Sequence, residues 1–599
     1  MAKNNADRVR YQHRPLKDHD STRILHLQPG GFADDIHVRL TEIRLSEKPS
    51  FEALSYVWGS PTPTDPISCH GEELLVTSNC IAAMRQLRHK YRTRVLWIDA
   101  ICIDQNSKNE RNHQVRLMGE IYSTAKRVII WLGEWTTESD FLMSFMKNYY
   151  RIWKYLPALR KILLLNHIKK LHTAETCAEF EDSLSDPGSF NPICDRPWFS
   201  RKWTIQEYVL SSEAFFQCGG KVLQASQLFS AFQDIMKRNY SYFNRDTYIS
   251  SSFAAYTNVF NGLRQAIQHG DRVNEFSLFQ ILDLARQQIA TEPRDAVFAL
   301  YGILQRINPD ITPPDYSKSV EQIYTEVAKM VIQSEKSLHI LETMGEDSIG
   351  SNLPSWVPQF DIAPAHGFKQ GIGREEMNPS ATGINSRVTF NFSHYDKSLS
   401  VRGRIIDKIQ RTAATHVSMY EEHENVLSQH TPDFINYPAV QQDGGDQSEA
   451  WLQCISTPTT LQLPPLFEQS PSDSSFTVDE NISEQASIQA KIAEKRESEY
   501  LAILNRISSD RKLLNLHQAI YLQCEGTRLL ITTDGRLGKG LKNIQEGDAV
   551  ALIAGVDIPM ILRKDGGSYR SMGPAYIHGI MNGEMWPENE DDLIDIVLS

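Results

Sequence analysis

Hydrophobic and polar positions alternate along Ile36 to Leu45 (IHVRLTEIRL), the pattern of a strand with one buried face. Phe51 to Trp58 predicts a second strand, stopped by Gly59 and the turn residues Pro61 and Pro63. Ile67 to Val76 reads as a hairpin around His70-Gly71. Ser78 is placed to cap a helix reaching about Tyr91. Val95 to Ile98 is an unbroken apolar run ending at Asp99, as a parallel strand buried on both faces reads. A polar loop over 99–109 precedes a helix over Glu110 to Ala125, with Val115, Met118, Ile121 and Tyr122 on one face. Arg127 to Leu132 is the next buried strand, stopped by Gly133. Strand, helix, strand, helix, strand predicts an α/β fold with a parallel sheet. Ligands bind such sheets outside the carboxyl ends of the strands. That directs attention to Trp58-Gly59, Asp99 to Gln105 and Gly133-Glu134.

Beyond this core, 136–192 reads as a largely helical insertion, and Asp195 to Leu210 as a turn running into a helix. Ala214 to Gln217 is a short strand. The chain is divided as follows: a flexible lead-in over 1–35, an α/β domain over 36–225, a helical region over 226–350 and a mixed region over 351–436. A low-complexity insertion over 437–490, rich in Ser, Pro, Gln and Thr, precedes a β-rich region over 491–599. A helix is expected near Ile488 to Ile507.

The 599 residues allow about three to four domain-sized units. An apolar share of 41% and a charged share of 23% exclude a fibrous or wholly disordered chain. The net charge of −12 argues against a general nucleic-acid partner. Eight scattered cysteines form no CxxC pair, so neither a disulfide scaffold nor a zinc ribbon is expected, and the thiols read as buried and reduced. Met1 to Lys17 lacks the apolar core of a signal peptide, and no apolar run is long enough to span a membrane. A cytoplasmic protein is the expectation. No glycine-rich nucleotide fingerprint is present, and no His, Cys or Asp cluster has metal-ligand spacing, so neither metal nor bound cofactor is expected.

Four blocks carry a family resemblance. Ala53 to Gly59 (ALSYVWG), Leu96 to Gln105 (LWIDAICIDQ), Glu110-Arg111 through Gly133, and Arg196 to Glu207 (RPWFSRKWTIQE) resemble, in order, the motifs of fungal heterokaryon incompatibility (HET) domains. Pro293-Arg294-Asp295, Pro314-Asp315-Tyr316, Leu353 to Pro358 and Gly547 to Glu584 resemble segments that follow the domain in that family. The resemblance implies a fungal self/non-self recognition protein that promotes regulated cell death. A second resemblance, in the order of elements, is to Toll/interleukin-receptor (TIR) domains, which implies a TIR-like, flavodoxin-like core. Ser200 to Glu207 resembles their Ser-x-Trp-x-x-x-Glu helix, with one extra residue between Ser200 and Trp203. In the members that cleave NAD this Glu is essential, and the carry-over puts the catalytic carboxylate on Glu207, with NAD as substrate.

Cleaving the nicotinamide–ribose bond develops positive charge at the ribose, which a carboxylate stabilises. Trp203 and Glu207, four apart, share a helix face, and Gln206 lies beside them. Trp58, Gly59, Asp99, Asp104, Gln105, Arg111, Arg201, Trp203 and Gln206 form the expected binding set. Each has a plainer reading: core packing for Trp203, loop fixing for Asp104 and Asp99, structural ion pairs for Arg111 and Arg201. Cys102 as a nucleophile would need His113, and Arg294-Asp295 reads as a capping and ion-pair element. Two functional readings stay open: a NAD glycohydrolase, or a non-enzymatic module signalling by self-association or through another cell-death protein.

Overall fold

The computed structural model describes residues 9–60, 62–153, 190–239, 251–270, 275–343, 352–363, 380–383, 386–393, 397–412 and 527–599. The chain forms two units, Met1–Glu335 with Phe360–Ala363, and Lys336–Gln359 with Pro364–Ser599. The expected low-complexity insertion, the helix near 488–507 and most of the 136–192 insertion lie outside the described residues. The insertion's first helix, Thr137–Trp153, lies within them.

The first unit is built on a nine-stranded mixed sheet. Its strands are β1 (Ser21–Leu27), β2 (His37–Arg44), β3 (Glu52–Tyr56), β4 (Asp65–Cys69), β5 (Glu72–Val76), β6 (Arg94–Trp97), β7 (Val128–Trp131), β8 (Ala214–Cys218) and β9 (Lys221–Gln224). They lie in the order β5-β4-β2-β1-β6-β3-β7-β8-β9. The stretch β6-β3-β7-β8 is parallel throughout. Numbered along the chain, these four strands stand in the order 2-1-3-4. The order reverses at β3 and β7, so a crevice at their carboxyl ends is the place where such a sheet receives ligands. Phe51 to Trp58 and the two runs predicted as buried strands, Val95 to Ile98 and Arg127 to Leu132, all contain strands, and β7 is buried at every position.

Two local expectations are corrected. Thr77, not Ser78, caps helix α1 (Ser78–Leu87), accepting from the Cys80 N–H. The 99–109 segment opens with a short helix, Asp99–Cys102, before α2 (Lys108–Thr124).

The larger correction concerns the expected flexible lead-in. Residues 21–27 of it form β1, paired on one side with β2 and on the other with β6. Thr22 and Arg23 look like surface residues in sequence, but both are buried and partnered. Thr22 Oγ1 donates to Gln114 Oε1 at 2.6 Å and accepts from the Trp97 indole at 3.0 Å. The Arg23 guanidinium forms a two-pronged pair with Glu110, at 2.6 and 3.0 Å. A buried charge is tolerable when a carboxylate answers it so directly.

The helix α3 (Trp203–Val209) and α4 (Tyr301–Ile307) both pack against α2. They meet it at a pair of glycines. A Cβ on Gly302 would lie 2.7 Å from Gln206 Oε1 and 2.9 Å from the Gly119 Cα. Only hydrogen atoms fit there, and the Gly302 N–H uses the space to donate to Gln206 Oε1 at 2.6 Å.

The second unit is a closed barrel. Its strands are β10 (Phe390–Phe392), β11 (Leu399–Thr412), β12 (Thr527–Thr532), β13 (Leu537–Leu541), β14 (Ala549–Ile553), β15 (Met560–Asp565), β16 (Ser568–Ile577) and β17 (Ile594–Leu598). The order β11-β12-β13-β16-β15-β14 returns to β11 through the β11–β14 pairing, which removes open edges from the ring. Ile409, Leu530, Val550, Ile561, Met572 and Ile577 fill its interior.

The glycine contact generates a ranked prediction. Gly302→Ala is expected to cost roughly 1–3 kcal/mol, since backbone and a hydrogen-bonded amide must both give way. Gly119→Ala costs less, because its Cβ meets its nearest neighbours at 3.0–3.2 Å, one of them the movable Leu210 side chain. Thermal melting of both variants checks this: equal melting temperatures would refute the close approach.

Candidate functional site

The residues between β3 and β8 converge on one carboxylate, because the parallel strands end together and α3 is buried above them. Tyr56 ends β3, and Trp58-Gly59 follows; Gly59 turns the chain at φ +77, a conformation that favours glycine. The Trp58 indole donates to Asp99 Oδ2 at 2.8 Å. Asp99, just after β6, takes the Ala100 N–H on its other oxygen at 2.7 Å. Gln105 bonds the Asp99 carbonyl at 3.0 Å. Asp104 turns its own loop, accepting from the Asn106 N–H at 3.0 Å.

Arg201 reaches in from the opposite side. The backbone on either side of it is fixed by a bridge to Ile289, through Ile289 N–H to the Ser200 carbonyl at 2.6 Å and Lys202 N–H to the Ile289 carbonyl at 3.0 Å. Its Nη1 donates to the Tyr56 carbonyl at 2.7 Å, and its guanidinium lies 5.8 Å from the Trp58 ring centroid, within cation–π range.

Glu207 lies on α3 and is only 2% exposed. Its Oε2 is buried with no hydrogen-bond partner, and among the described residues it joins no ion pair. Burial pushes its carboxyl up to about 7; Arg201 opposes this, the Asp99 charge adds to it, and the Ser55 and Tyr122 hydroxyls oppose it. Asp99 is raised as well, first by burial, with Arg201 and the Trp58 indole opposing. One guanidinium thus serves two buried carboxyls that disfavour each other's ionisation. A carboxyl held near neutrality with an unfilled oxygen is suited to accepting a proton, holding a hydroxyl or meeting a developing positive charge.

Of the residues predicted from sequence, the structure brings together Trp58, Asp99, Arg201 and Glu207, with Gly59, Gln105 and Asp104 on the adjoining loops. It does not bring in Arg111, Trp203 or Gln206. Arg111 is exposed on the first turn of α2. The Trp203 indole donates to Asp295 Oδ2 at 3.1 Å, although helical spacing puts it on the Glu207 face. Gln206 is spent on Gly302. In the 294–295 segment, Arg294 pairs with Glu292 at 2.7 Å while Asp295 receives Trp203 and Tyr316.

The thiol reading fails on geometry. Cys102 is wholly buried, burial pushes its thiol up to about 12, and His113 is engaged with the His19 carbonyl at 2.7 Å. Residues overlooked in sequence are Ser55, Tyr122 and Trp198. Ser55 is a polar residue inside an apolar strand, a signal that could have marked it; its Oγ accepts from the Trp198 indole at 2.7 Å.

Among the described residues, one group could hold a metal ion, and the sequence spacing did not reveal it. His339, Glu342 and Asp557 of the second unit place ligand atoms within 4.8 Å of one another. They already bond among themselves: His339 Nδ1 lies 3.0 Å from Glu342 Oε1, which also accepts the Asp557 N–H at 3.0 Å. No helix among the described residues is long and apolar enough to cross a membrane.

Comparison with known proteins follows the same division. Residues 51–207 match the family described as Heterokaryon incompatibility protein (HET), so the match ends on Glu207 itself. Residues 476–594 match the Het-6 beta-barrel domain, while β11, which closes the ring, lies upstream of that match. The chain is 25% identical to Heterokaryon incompatibility protein 6, OR allele, of Neurospora crassa, over 94% of each chain. No solved structure matches. The motif blocks, the site they build and both domain matches agree, and the chain is similar to heterokaryon incompatibility (HET) domain proteins.

Proposed function

We propose that this protein acts in heterokaryon incompatibility, and that its first unit cleaves the N-glycosidic bond of NAD, with Glu207 as the catalytic carboxylate. The observation that carries the second part is the buried Glu207 oxygen without a partner, facing neither solvent nor a cation in ion-pair contact. The 2-1-3-4 order of the parallel strands supports the likeness to TIR-type cores, and Trp58 and Asp99 follow the carboxyl ends of β3 and β6, where such sheets receive ligands.

In this reading the bond between nicotinamide nitrogen and ribose breaks, nicotinamide leaves neutral with the bonding pair, and the ribose carbon becomes oxocarbenium-like. Ionised Glu207 stabilises that charge or holds a ribose hydroxyl. Water then adds to the carbon and releases a proton. Trp58 supplies an aromatic face and Arg201 a cation for the pyrophosphate. The triggered output would be cell death.

The depth of Glu207 favours a second reading. At 2% exposure the carboxyl is closed off, as in a non-enzymatic module that signals by self-association or by binding another cell-death protein.

Two measurements test these readings. Nicotinamide release from NAD, measured with concentrated protein, is expected for the native chain and to fall about a hundredfold or more in Glu207→Gln. Because the ionised form is required, kcat/KM should rise with pH through about 7 and level off above it. No release from either protein at any pH favours the signalling module; release unaffected by the substitution discards Glu207.

Stability provides an activity-independent check. The folded-state carboxyl is raised from 4.5 to about 7. Between those values the unfolded chain has lost the proton that the folded chain keeps, so stability falls as pH rises. The full penalty, about 3 kcal/mol, applies above pH 7. Glu207→Gln should therefore raise the melting temperature relative to the native protein at pH 8 and lose that advantage near pH 4. A pH-independent difference would place the group elsewhere than in a dry site.

A further inference from the structure

The barrel carries a second collection of charges that the first unit's chemistry does not use. A recess of about 260 Å³ is lined by Arg528, Lys542, Asn543, Ile544, Gln545 and Arg563. Three of the six are cationic and none is acidic, in a chain whose net charge is −12. Strand geometry fixes the cluster. Arg528 lies on β12 opposite Gly540, and Lys542 follows directly on the end of β13, so both belong to one end of the β12–β13 hairpin. Arg563 comes from β15, where it faces Arg570 of β16 across the ladder.

One of these charges is answered from beneath. Asp548, buried at 4% exposure, receives Arg563 on both carboxylate oxygens, at 2.8 and 2.9 Å, and Arg563 also donates to the Asn543 carbonyl at 2.9 Å. Asp548 Oδ2 also takes the Gln545 N–H at 2.8 Å. The lining is therefore held rigidly: one carboxylate fixes both the arginine and the turn. Arg528 and Arg570 have no carboxylate partner among the described residues, and Arg528 Nε is buried with no hydrogen-bond partner.

We infer that this recess binds a phosphate-bearing anion, held by Arg528, Lys542 and Arg563. The Arg528 guanidinium can meet phosphate oxygens two at a time, Arg563 offers the Nη1 that Asp548 and the Asn543 carbonyl leave over, lysine adds a point charge, and the Gln545 side chain can bond a remaining oxygen. The lining has no aromatic ring, so nothing offers a nucleobase a stacking surface. The recognised chemistry is the phosphate cluster itself, whether on a free oligophosphate or on a phosphorylated lipid headgroup.

Calorimetry on the full chain with pyrophosphate, at about 0.15 M salt, tests this. A parallel arm uses phosphatidylcholine vesicles with about 5 mol% phosphatidylinositol bisphosphate. Saturable binding is expected, about tenfold or more weaker in Arg528→Gln and in Lys542→Gln. Lys542 stands in a turn, so its substitution keeps the test valid if the Arg528 variant fails to fold. Binding of pyrophosphate alone makes a free anion the occupant, and capture by vesicles, lost in the same variants, makes it the headgroup. Absence of saturable binding to either probe, or binding equal in native and variant proteins, overturns the inference.

Discussion

Six of the seven residues of α3, the helix Trp203–Val209, are buried, and most of what this unit does depends on that burial. Two turns of helix have no stability of their own in water. Position is therefore imposed from outside, through a partner for nearly every side chain. Lys202, fully buried at the helix start, donates to the Phe360 carbonyl at 3.0 Å. Trp203 reaches Asp295, Thr204 meets the Tyr256 hydroxyl at 2.8 Å, Gln206 holds Gly302, and Tyr208 donates to Asn261 at 2.8 Å. Glu207 alone is left with a vacant oxygen. Gln206 Nε2, next to it, is buried without a partner as well, so the neighbours that fix the helix leave two adjacent polar groups unanswered.

That pattern separates a structural carboxylate, Glu110, from the one proposed as catalytic. Glu110 is also partly buried, but its two oxygens meet Arg23 and its carboxyl is held below the ordinary range by that pair. Glu207 sits in a drier place, is given one shared guanidinium at a distance, and is raised. A charge that serves architecture is matched locally. A charge left unmatched costs stability, which a fold sustains where function requires it.

The legible part of the sequence was the part whose information is local. The runs Val95 to Ile98 and Arg127 to Leu132 needed no partner to be read as buried strands, and Phe51 to Trp58 read as a strand from its own residues. The strand-end location of Asp99 and Trp58 follows from the same runs. What escaped was burial that depends on a distant answer. Arg23 looks exposed until Glu110, 87 residues on, is placed beside it. Trp203 looks directed at the Glu207 face until Asp295, 92 residues on, takes its indole. Gln206 reads as a ligand-binding amide because nothing in a sequence shows that two glycines, at 119 and 302, will bring a backbone N–H against it. The barrel presents the same difficulty in another form. β11 falls in what read as a mixed region over 351–436, and its run to Thr412 is sustained by pairing to strands more than a hundred residues away.

Distance in sequence also explains why two chemically different sites occur in one chain without competing. The first unit sets two buried carboxyls near a single arginine, Arg201; the barrel sets Arg528, Lys542 and Arg563 around a recess that one buried acid, Asp548, braces through Arg563. Excess carboxylate in a dry site resists ionisation and favours a cationic transition state, whereas excess guanidinium cannot discharge itself by losing a proton. In the proposed reading the barrel recess takes an anion beside Arg528, whose charge no carboxylate among the described residues answers. The two sites therefore respond differently to solution conditions: the crevice to pH, through Glu207, and the recess to ionic strength, through charges that do not titrate.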